Sequence, residues 1–263
     1  MFPFFKKLKR KKIGIALGGG AARGFAHVGV LKSLRRNNIP IDYIAGTSAG
    51  SIVGALYASG IPIEELENVA LEMSGINIVM PSFSLTGIND SSAIANFLNK
   101  IINNKSFKEL DIPFAVVVTD LKSGKDVVID KGPVGPAVGA SSSYPVVYSP
   151  TEINGNFYID GGFSRNIPVA PLKKMGAEFI IAVDVIPEVT LDKMPQDVVS
   201  IMNRAQDILL KRTHILDTKD ADLVIKPITE SVRSYDLMDQ KKIIAMGEKA
   251  AEKIIPELKR KLK

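Results

Sequence analysis

One pattern, met three times along the chain, restricts the fold most: a short apolar run stops abruptly at a glycine-rich loop. Ile13–Leu17 runs into Gly18-Gly19-Gly20, Ile41–Ala45 into Gly46-Thr47-Ser48-Ala49-Gly50, and Phe157-Tyr158-Ile159 into Asp160-Gly161-Gly162. Continuous apolar runs of four to eight residues between turn signals read as buried strands. Helical periodicity lies between them. Phe25, Val28, Leu31 and Leu34 share one face of Phe25–Asn37, and Ile52–Ala58 reads as helix until Ser59-Gly60. Further strands are expected at Phe114–Thr119, Asp126–Ile129, Phe179–Val185 and Leu223–Lys226. Further helices are expected at Ile63–Met73, Ser91–Ile102, Asp197–Leu216 and Leu237–Leu262. Strands alternating with helices imply an α/β fold, a three-layer sandwich around a largely parallel central sheet. Ligands in such sheets bind beyond the carboxyl ends of the strands, which is where the three loops fall. No repeat or linker interrupts residues 13–263, which are read as one domain ending in a basic helix.

Charge and composition exclude several function classes. The net charge of +6 is concentrated at the two ends: six basic residues lie among the first twelve, and Lys259, Arg260, Lys261 and Lys263 close the chain. Without those ten, 24 basic residues face 28 acidic ones, so the body is mildly acidic and a nucleic-acid-binding role is not indicated. Residues 1–12 are expected to be a flexible basic tail. The apolar rings of Phe2, Phe4 and Phe5 beside its lysines suit either a solvated terminus or contact with an anionic membrane surface. The absence of cysteine removes disulfides, thiol nucleophiles and zinc fingers, and two histidines are too few for a histidine-rich metal centre. No apolar run approaches the ~18–20 residues of a spanning helix, and the apolar-then-basic opening reverses the order of a secretory signal. The expected location is therefore cytoplasmic, with peripheral contact at the inner face of the membrane as the further expectation.

Each loop carries a chemical candidate beside a bland reading. Gly18-Gly19-Gly20-Ala21-Ala22-Arg23-Gly24 bares backbone N–H groups at a helix start, an anion site for a phosphate or a developing oxyanion, or else a tight turn. Arg23 either anchors that loop or faces an anionic substrate. Gly18, Gly20 and Gly24 also resemble a dinucleotide fingerprint, with Asp42 about 20 residues on, where the ribose-binding acid is expected. Gly46-Thr47-Ser48-Ala49-Gly50 is a G-x-S-x-G nucleophile elbow in the strand–turn–helix context that motif needs. Its serine needs a base. His27, among apolar neighbours, suits packing or a helix-end hydrogen bond, and His214 suits a solvated helix face. Asp160 at a strand end, with glycines clearing space around it, supplies a base if burial raises its pKa; alone it would be an Asp-Gly turn. Gly75–Ile88, with Ile76, Met80 and Phe83, is either an apolar lip for acyl chains or buried loop packing.

Together these residues resemble the patatin-like phospholipases, in the bacterial branch that also resembles the catalytic domains of neuropathy target esterase. The resemblance is carried by the glycine loop with Ala26-His27-Val28-Gly29 after it, by the Ser48 elbow and by Asp160-Gly161-Gly162, and also by Thr119-Asp120-Leu121 and Ala140-Ser141-Ser142-Ser143. It implies a patatin-like α/β fold, Ser48 as nucleophile and Asp160 as base. It further implies an oxyanion hole drawn from Gly18, Gly19, Gly20, Ala21 and Ala49, with Gly46 and Gly50 shaping the elbow and Arg23, Gly24, Gly161 and Gly162 in support. The implied substrates are phospholipids or other acyl-ester lipids, cleaved through an acyl-enzyme without a metal or cofactor. Gly139 stands where relatives often carry arginine, and Ala21 where many carry a fourth glycine. Two other readings stay open: a phosphate or dinucleotide binder, and a catalytically idle lipid-binding regulator.

Overall fold

The computed structural model describes residues 10–75, 92–145, 147–187, 194–228 and 240–263. Its strands are β1 (Ile13–Leu17), β2 (Tyr43–Thr47), β3 (Phe114–Asp120), β4 (Asp126–Ile129), β5 (Thr151–Ile153), β6 (Asn156–Asp160), β7 (Phe179–Val183) and β8 (Leu223–Ile225). Its helices are α1 (Phe25–Arg36), α2 (Ala49–Ala58), α3 (Ile63–Gly75), α4 (Ser92–Ile101), α5 (Val134–Ser141), α6 (Val169–Met175), α7 (Val198–Thr218) and α8 (Gln240–Leu262). The eight strands form one mixed sheet whose hydrogen-bonded path is β5-β6-β3-β2-β1-β7-β8, with β4 also on β3. β1, β2, β3, β7 and β8 are mutually parallel, β4 and β6 run antiparallel to β3, and β5 pairs antiparallel with β6 and so runs in the direction of β3.

Side-chain alternation along the strands builds two unequal faces. Ile15, Leu17, Ile44, Val116, Val118, Ile181 and Val183 join the large core shared with α1, α2, α4, α5 and α8. Ala16, Ala45, Ala115 and Ala182 face the other way, against Ile167, Val169 and Leu172. Small side chains there let the short helix α6 lie close to the sheet. The expected sandwich is present, with one outer layer much thinner than the other. The chain's final helix is part of the thick layer: Gly29 of α1 and Gly247 of α8 admit each other's backbone, where a Cβ on either would overlap the neighbouring carbonyl.

The pairing of β3 explains how the site comes together. Asp120 N–H donates to Lys125 O on one edge of β3, so even-numbered residues bond β4. Ile44 N–H donates to Pro113 O and Leu121 N–H to Phe157 O, so odd-numbered residues bond both β2 and β6. β2 therefore occupies the first half of that edge, ending at Thr47 opposite Val117, and β6 arrives from the opposite direction, ending at Asp160 opposite Val118. Two strands meet end to end, and the residues following each are forced into contact. A parallel strand gives up half an edge to an antiparallel one, which the expectation of a largely parallel sheet did not contain.

Some expectations are corrected at the chain's start. Residues 10–12, counted with the flexible tail, are tied to the body: the Lys11 ammonium donates to Lys261 O at 2.9 Å and Lys12 N–H to Glu178 Oε2 at 2.7 Å. Residues 1–9, and all of the 75–88 lip beyond its first residue, lie outside the described residues.

Candidate active site

β2 ends at Thr47 and α2 begins at Ala49, which leaves Ser48 alone to turn the chain. Its backbone sits at φ 51° and ψ −126°, a sparsely populated region for a residue with a Cβ. The turn closes because Gly50 presses its backbone against the Leu17 and Gly18 carbonyls; a Cβ there would overlap Leu17 O. Gly46 likewise accepts the close return of Gly50 and Ser51. The elbow is fastened through Ser141. Its hydroxyl donates to Val117 O at 2.7 Å and accepts Ser48 N–H at 2.9 Å. Val117 O is a β3 carbonyl at the junction of β2 and β6, so one hydroxyl fills the gap and holds the serine backbone in place. Ser51 adds an Oγ–H donation to Ser48 O at 2.6 Å.

The Ser48 hydroxyl, half-buried, donates to Asp160 Oδ2 at 2.6 Å. Asp160 is 3% exposed, and its other oxygen accepts Gly162 N–H at 2.8 Å. Its backbone is held by Thr119 Oγ1 donating to Asp160 O at 2.9 Å and by its own N–H donating to Ser143 O at 3.0 Å. Gly161 packs on Val117 O so closely that a Cβ would overlap it. Burial pushes the Asp160 carboxyl up to about 6, outweighing the hydrogen bonds from Ser48 and Gly162 that favour the anion. Tyr144 stands nearby with a buried hydroxyl that has no hydrogen-bond partner among the described residues, and burial together with the charges of Asp160 and Asp207 pushes it up to about 12.

The glycine loop lies along the same end of the sheet, and its amides are not equivalent. Gly18 N–H donates to Val183 O at 3.1 Å, and Gly19 N–H to Asn166 O at 3.4 Å. Gly18 thus lacks a free donor, contrary to its place in the expected oxyanion hole, because its amide bonds the carbonyl that ends β7. The amides of Gly20, Ala21 and Ala49, which precede or open helical turns, have no hydrogen-bond partner among the described residues. Ala21 takes φ 50°, the left-handed conformation that a fourth glycine would have adopted without strain. A Cβ on Gly19 would approach Ser48 Cβ at 3.0 Å, which measures how near the loop lies to the serine. Gly24 packs directly on Ala49.

Arg23 is an anchor. It is 2% exposed, and its guanidinium donates twice to Asp207 of α7, at 2.7 and 3.1 Å, and through Nε to Gly20 O at 3.3 Å. His27 is buried in α1, as its apolar neighbours imply. Its Nε2 donates to Gly18 O at 2.7 Å, and burial lowers its pKa to about 4. His214 departs from expectation: its Nδ1 lies 2.7 Å from Asp184 Oδ2 on the inner side of α7, where a solvated face was expected. Neither histidine hydrogen-bonds Ser48 among the described residues. Asp42 is at the wrong end of the sheet for a ribose contact. It sits beside Ile13 at the start of β1 and is held by Arg10, Lys12 and Ile13 N–H. Sequence reasoning missed Asn166 and Asp207, which fasten the glycine loop from segments carrying no motif. Ser141 lay within a quoted stretch but was given no role.

The site is thus a serine on a strained strand–helix turn, bonded directly to a buried aspartate beside free backbone donors, on a mixed α/β sheet. The chain belongs to the patatin-like phospholipase family, whose sequence profile matches residues 15–173. It is 35% identical over 175 residues to an uncharacterised NTE family protein of Mycobacterium tuberculosis, covering 65% of this chain and 48% of that one. It is 34% identical over 189 residues to a lysophospholipase of Coccidioides immitis, covering 68% of this chain and 12% of that protein. The human patatin-like phospholipase domain-containing protein 6 is 33% identical over 183 residues, covering 66% of this chain and 13% of the other. The matches therefore span about half or much less of each relative's length. Among solved structures, VipD from Legionella pneumophila superposes with a TM-score of 0.63 at 12% identity, covering 94% of this chain and 67% of that one, a likeness of fold.

Proposed function

We propose that this protein is a serine acyl-ester hydrolase acting on phospholipids or lysophospholipids through a Ser48–Asp160 dyad and an acyl-enzyme. The observation that carries the reading is the 2.6 Å hydrogen bond from Ser48 Oγ to a carboxylate whose burial lifts it to about 6. An ordinary carboxylate is too weak a base for a serine hydroxyl, and desolvation makes this one stronger. Asp160 takes the Ser48 proton as Oγ attacks the ester carbonyl. The N–H groups of Gly20, Ala21 and Ala49 receive the oxyanion, with Gly19 joining if it releases Asn166 O. The alcohol leaves with the proton from Asp160, and the same carboxylate then deprotonates the water that cleaves the acyl-enzyme. The names of the fungal and human relatives support a lipid substrate.

No helix among the described residues is long and apolar enough to cross a membrane. The protein acts at the inner membrane face in this reading, the basic termini adding attraction to anionic lipid. The test is direct. Ser48→Ala is expected to abolish hydrolysis of a short-chain nitrophenyl ester and Asp160→Asn to lower it by at least about 10²-fold, both with circular dichroism unchanged, and a fluorophosphonate is expected to label the unaltered protein at Ser48. Turnover near the unaltered rate in either variant refutes the dyad. Labelling without turnover of any lipid in a panel leaves a lipid-binding regulator instead.

A further inference from the structure

α7 wears its chemistry inside out. Positions 207, 210, 214 and 217 make its inner face: Asp207 grips Arg23, Leu210 is buried, His214 meets Asp184, and Asp217 Oδ2 accepts the N–H groups of Asn166 and Ile167 at 3.0 and 3.3 Å. Three of the four inner contacts are polar, and each ties α7 to a loop of the candidate active site. The outer face carries Val198, Ile201, Ile208, Leu209, Ile215 and Leu216, spaced at helical period and exposed between 43% and 75%. A 21-residue helix holds this stripe along about 31 Å. Single exposed apolar residues are ordinary, whereas apolar side chains clustered on the outside of a helix, here with Arg212 among them, mark an interaction surface.

We propose that the outer face of α7 is a membrane-docking surface, which lies in the interface of an anionic bilayer and brings lipid to the Ser48 loop. Charge selects the occupant. The two acids of the helix, Asp207 and Asp217, are turned inward and engaged, while its cations are Arg204, Lys211 and Arg212, with Arg212 exposed. Arg204 and Lys211 border the apolar side chains and Arg212 stands among them, and such a mixture of apolar and cationic side chains suits an interfacial helix on anionic lipid. A symmetric contact between two copies would set those cations against their own equivalents. Position selects it too, since the same helix grips Arg23 of the glycine loop. The delivery of substrate rests on the hydrolase reading above; the docking does not.

The chain has no tryptophan, so Ile215→Trp places one reporter on the stripe. Its emission is expected to be that of a solvated indole in the free protein and to shift to the blue with vesicles of phosphatidylcholine and phosphatidylglycerol, less so with phosphatidylcholine alone. Leu209→Glu with Leu216→Glu is expected to lower the vesicle-bound fraction in sedimentation by about tenfold or more, given the apolar area withdrawn, while short-chain ester hydrolysis is unchanged. Equal sedimentation of variant and unaltered protein overturns the proposal, as does emission already blue-shifted without vesicles, which means the chain covers this face itself. A dimer that the double variant dissociates, with no vesicle binding, makes a second copy the occupant and overturns it equally. Ser48→Ala protein is expected to sediment normally, so failure of the dyad leaves the docking result readable.

Discussion

The two ends of β2 hold aspartates of opposite character. Asp42, just before the strand, is held down to about 2, first by the hydrogen bond from Arg10 and then by Ile13 N–H and Lys12. Asp160, packed against the far end, is lifted to about 6 by burial. The difference is a matter of partners. Asp42 receives cations at a wet edge, whereas Asp160 receives one hydroxyl and one amide in a dry junction where β2 and β6 meet. Their linkage to folding has opposite sign. Asp42 stabilises the fold above the ordinary carboxylate range, and that contribution fades as pH falls towards 2. Asp160 binds its proton more tightly folded than unfolded, so stability is lost as pH rises from 3.8 to about 6. That cost, about 3 kcal/mol for a shift of this size, is held at the end of the sheet where the proposed mechanism calls for a base.

The largest expected effect follows from removing the costly charge. Asp160→Asn is expected to lower the rate on a nitrophenyl ester by about 10²–10⁴-fold, the range for a general base. The same variant is expected to melt higher than the unaltered protein at pH 8, because a neutral amide replaces a buried anion. A variant that is both inactive and less stable at that pH would break the contrast. Next comes the pH profile: kcat/KM is expected to rise through about pH 6 and level above it, since only ionised Asp160 accepts the serine proton. A profile flat between about pH 5 and 8, a range that spans that midpoint, would show that the carboxylate is not the titrating base.

Much of this arrangement is legible from residue type alone. β1, β3 and β7 are apolar without alternation because both faces are covered, and three glycine loops mark one end of the sheet. Ser48 and Asp160 stand out because a nucleophile elbow and an Asp-Gly-Gly turn have local signatures. What local signatures cannot carry is pairing. The sharing of one β3 edge by β2 and β6 is a tertiary fact, and it brings residue 48 to residue 160 and places Ser141 between them. Asn166, Asp207 and the inward turn of His214 escaped for the same reason: each acts through a partner more than 25 residues away, Gly19, Arg23 and Asp184 respectively. Pattern also misplaced Asp42, whose distance along the chain suits a ribose contact while its position before β2 puts it at the opposite edge.

Ser141→Ala sharpens the comparison from the serine's side. It removes the hydroxyl between Val117 O and Ser48 N–H and leaves both backbone groups at a buried junction, a loss of about 1–3 kcal/mol. Because the hydroxyl is engaged by Val117 O and Ser48 N–H, the loss is expected in kcat, about tenfold, with KM little changed. Ser141→Thr, which keeps the hydroxyl, is expected to restore much of the rate. A rise in KM with kcat intact would instead place Ser141 in contact with substrate.

The smallest effect is expected at the wet end. Asp42→Asn leaves the Arg10 and Lys12 cations without their carboxylate, and Arg10 is about half exposed, so solvent screening reduces the loss to about 1 kcal/mol. The loss is expected at neutral pH as a lowered melting temperature, and it shrinks in high salt and as pH falls below the ordinary carboxylate range. The nitrophenyl esterase rate is expected to stay at the unaltered value, because the Asp42 cluster lies at the start of β1 and β2, the five-residue length of each strand away from the Ser48 turn. A fall in rate matching the fall seen for Ser141→Ala would mean that β2 transmits a shift from one end to the other, and the two ends would then have to be treated as one coupled element.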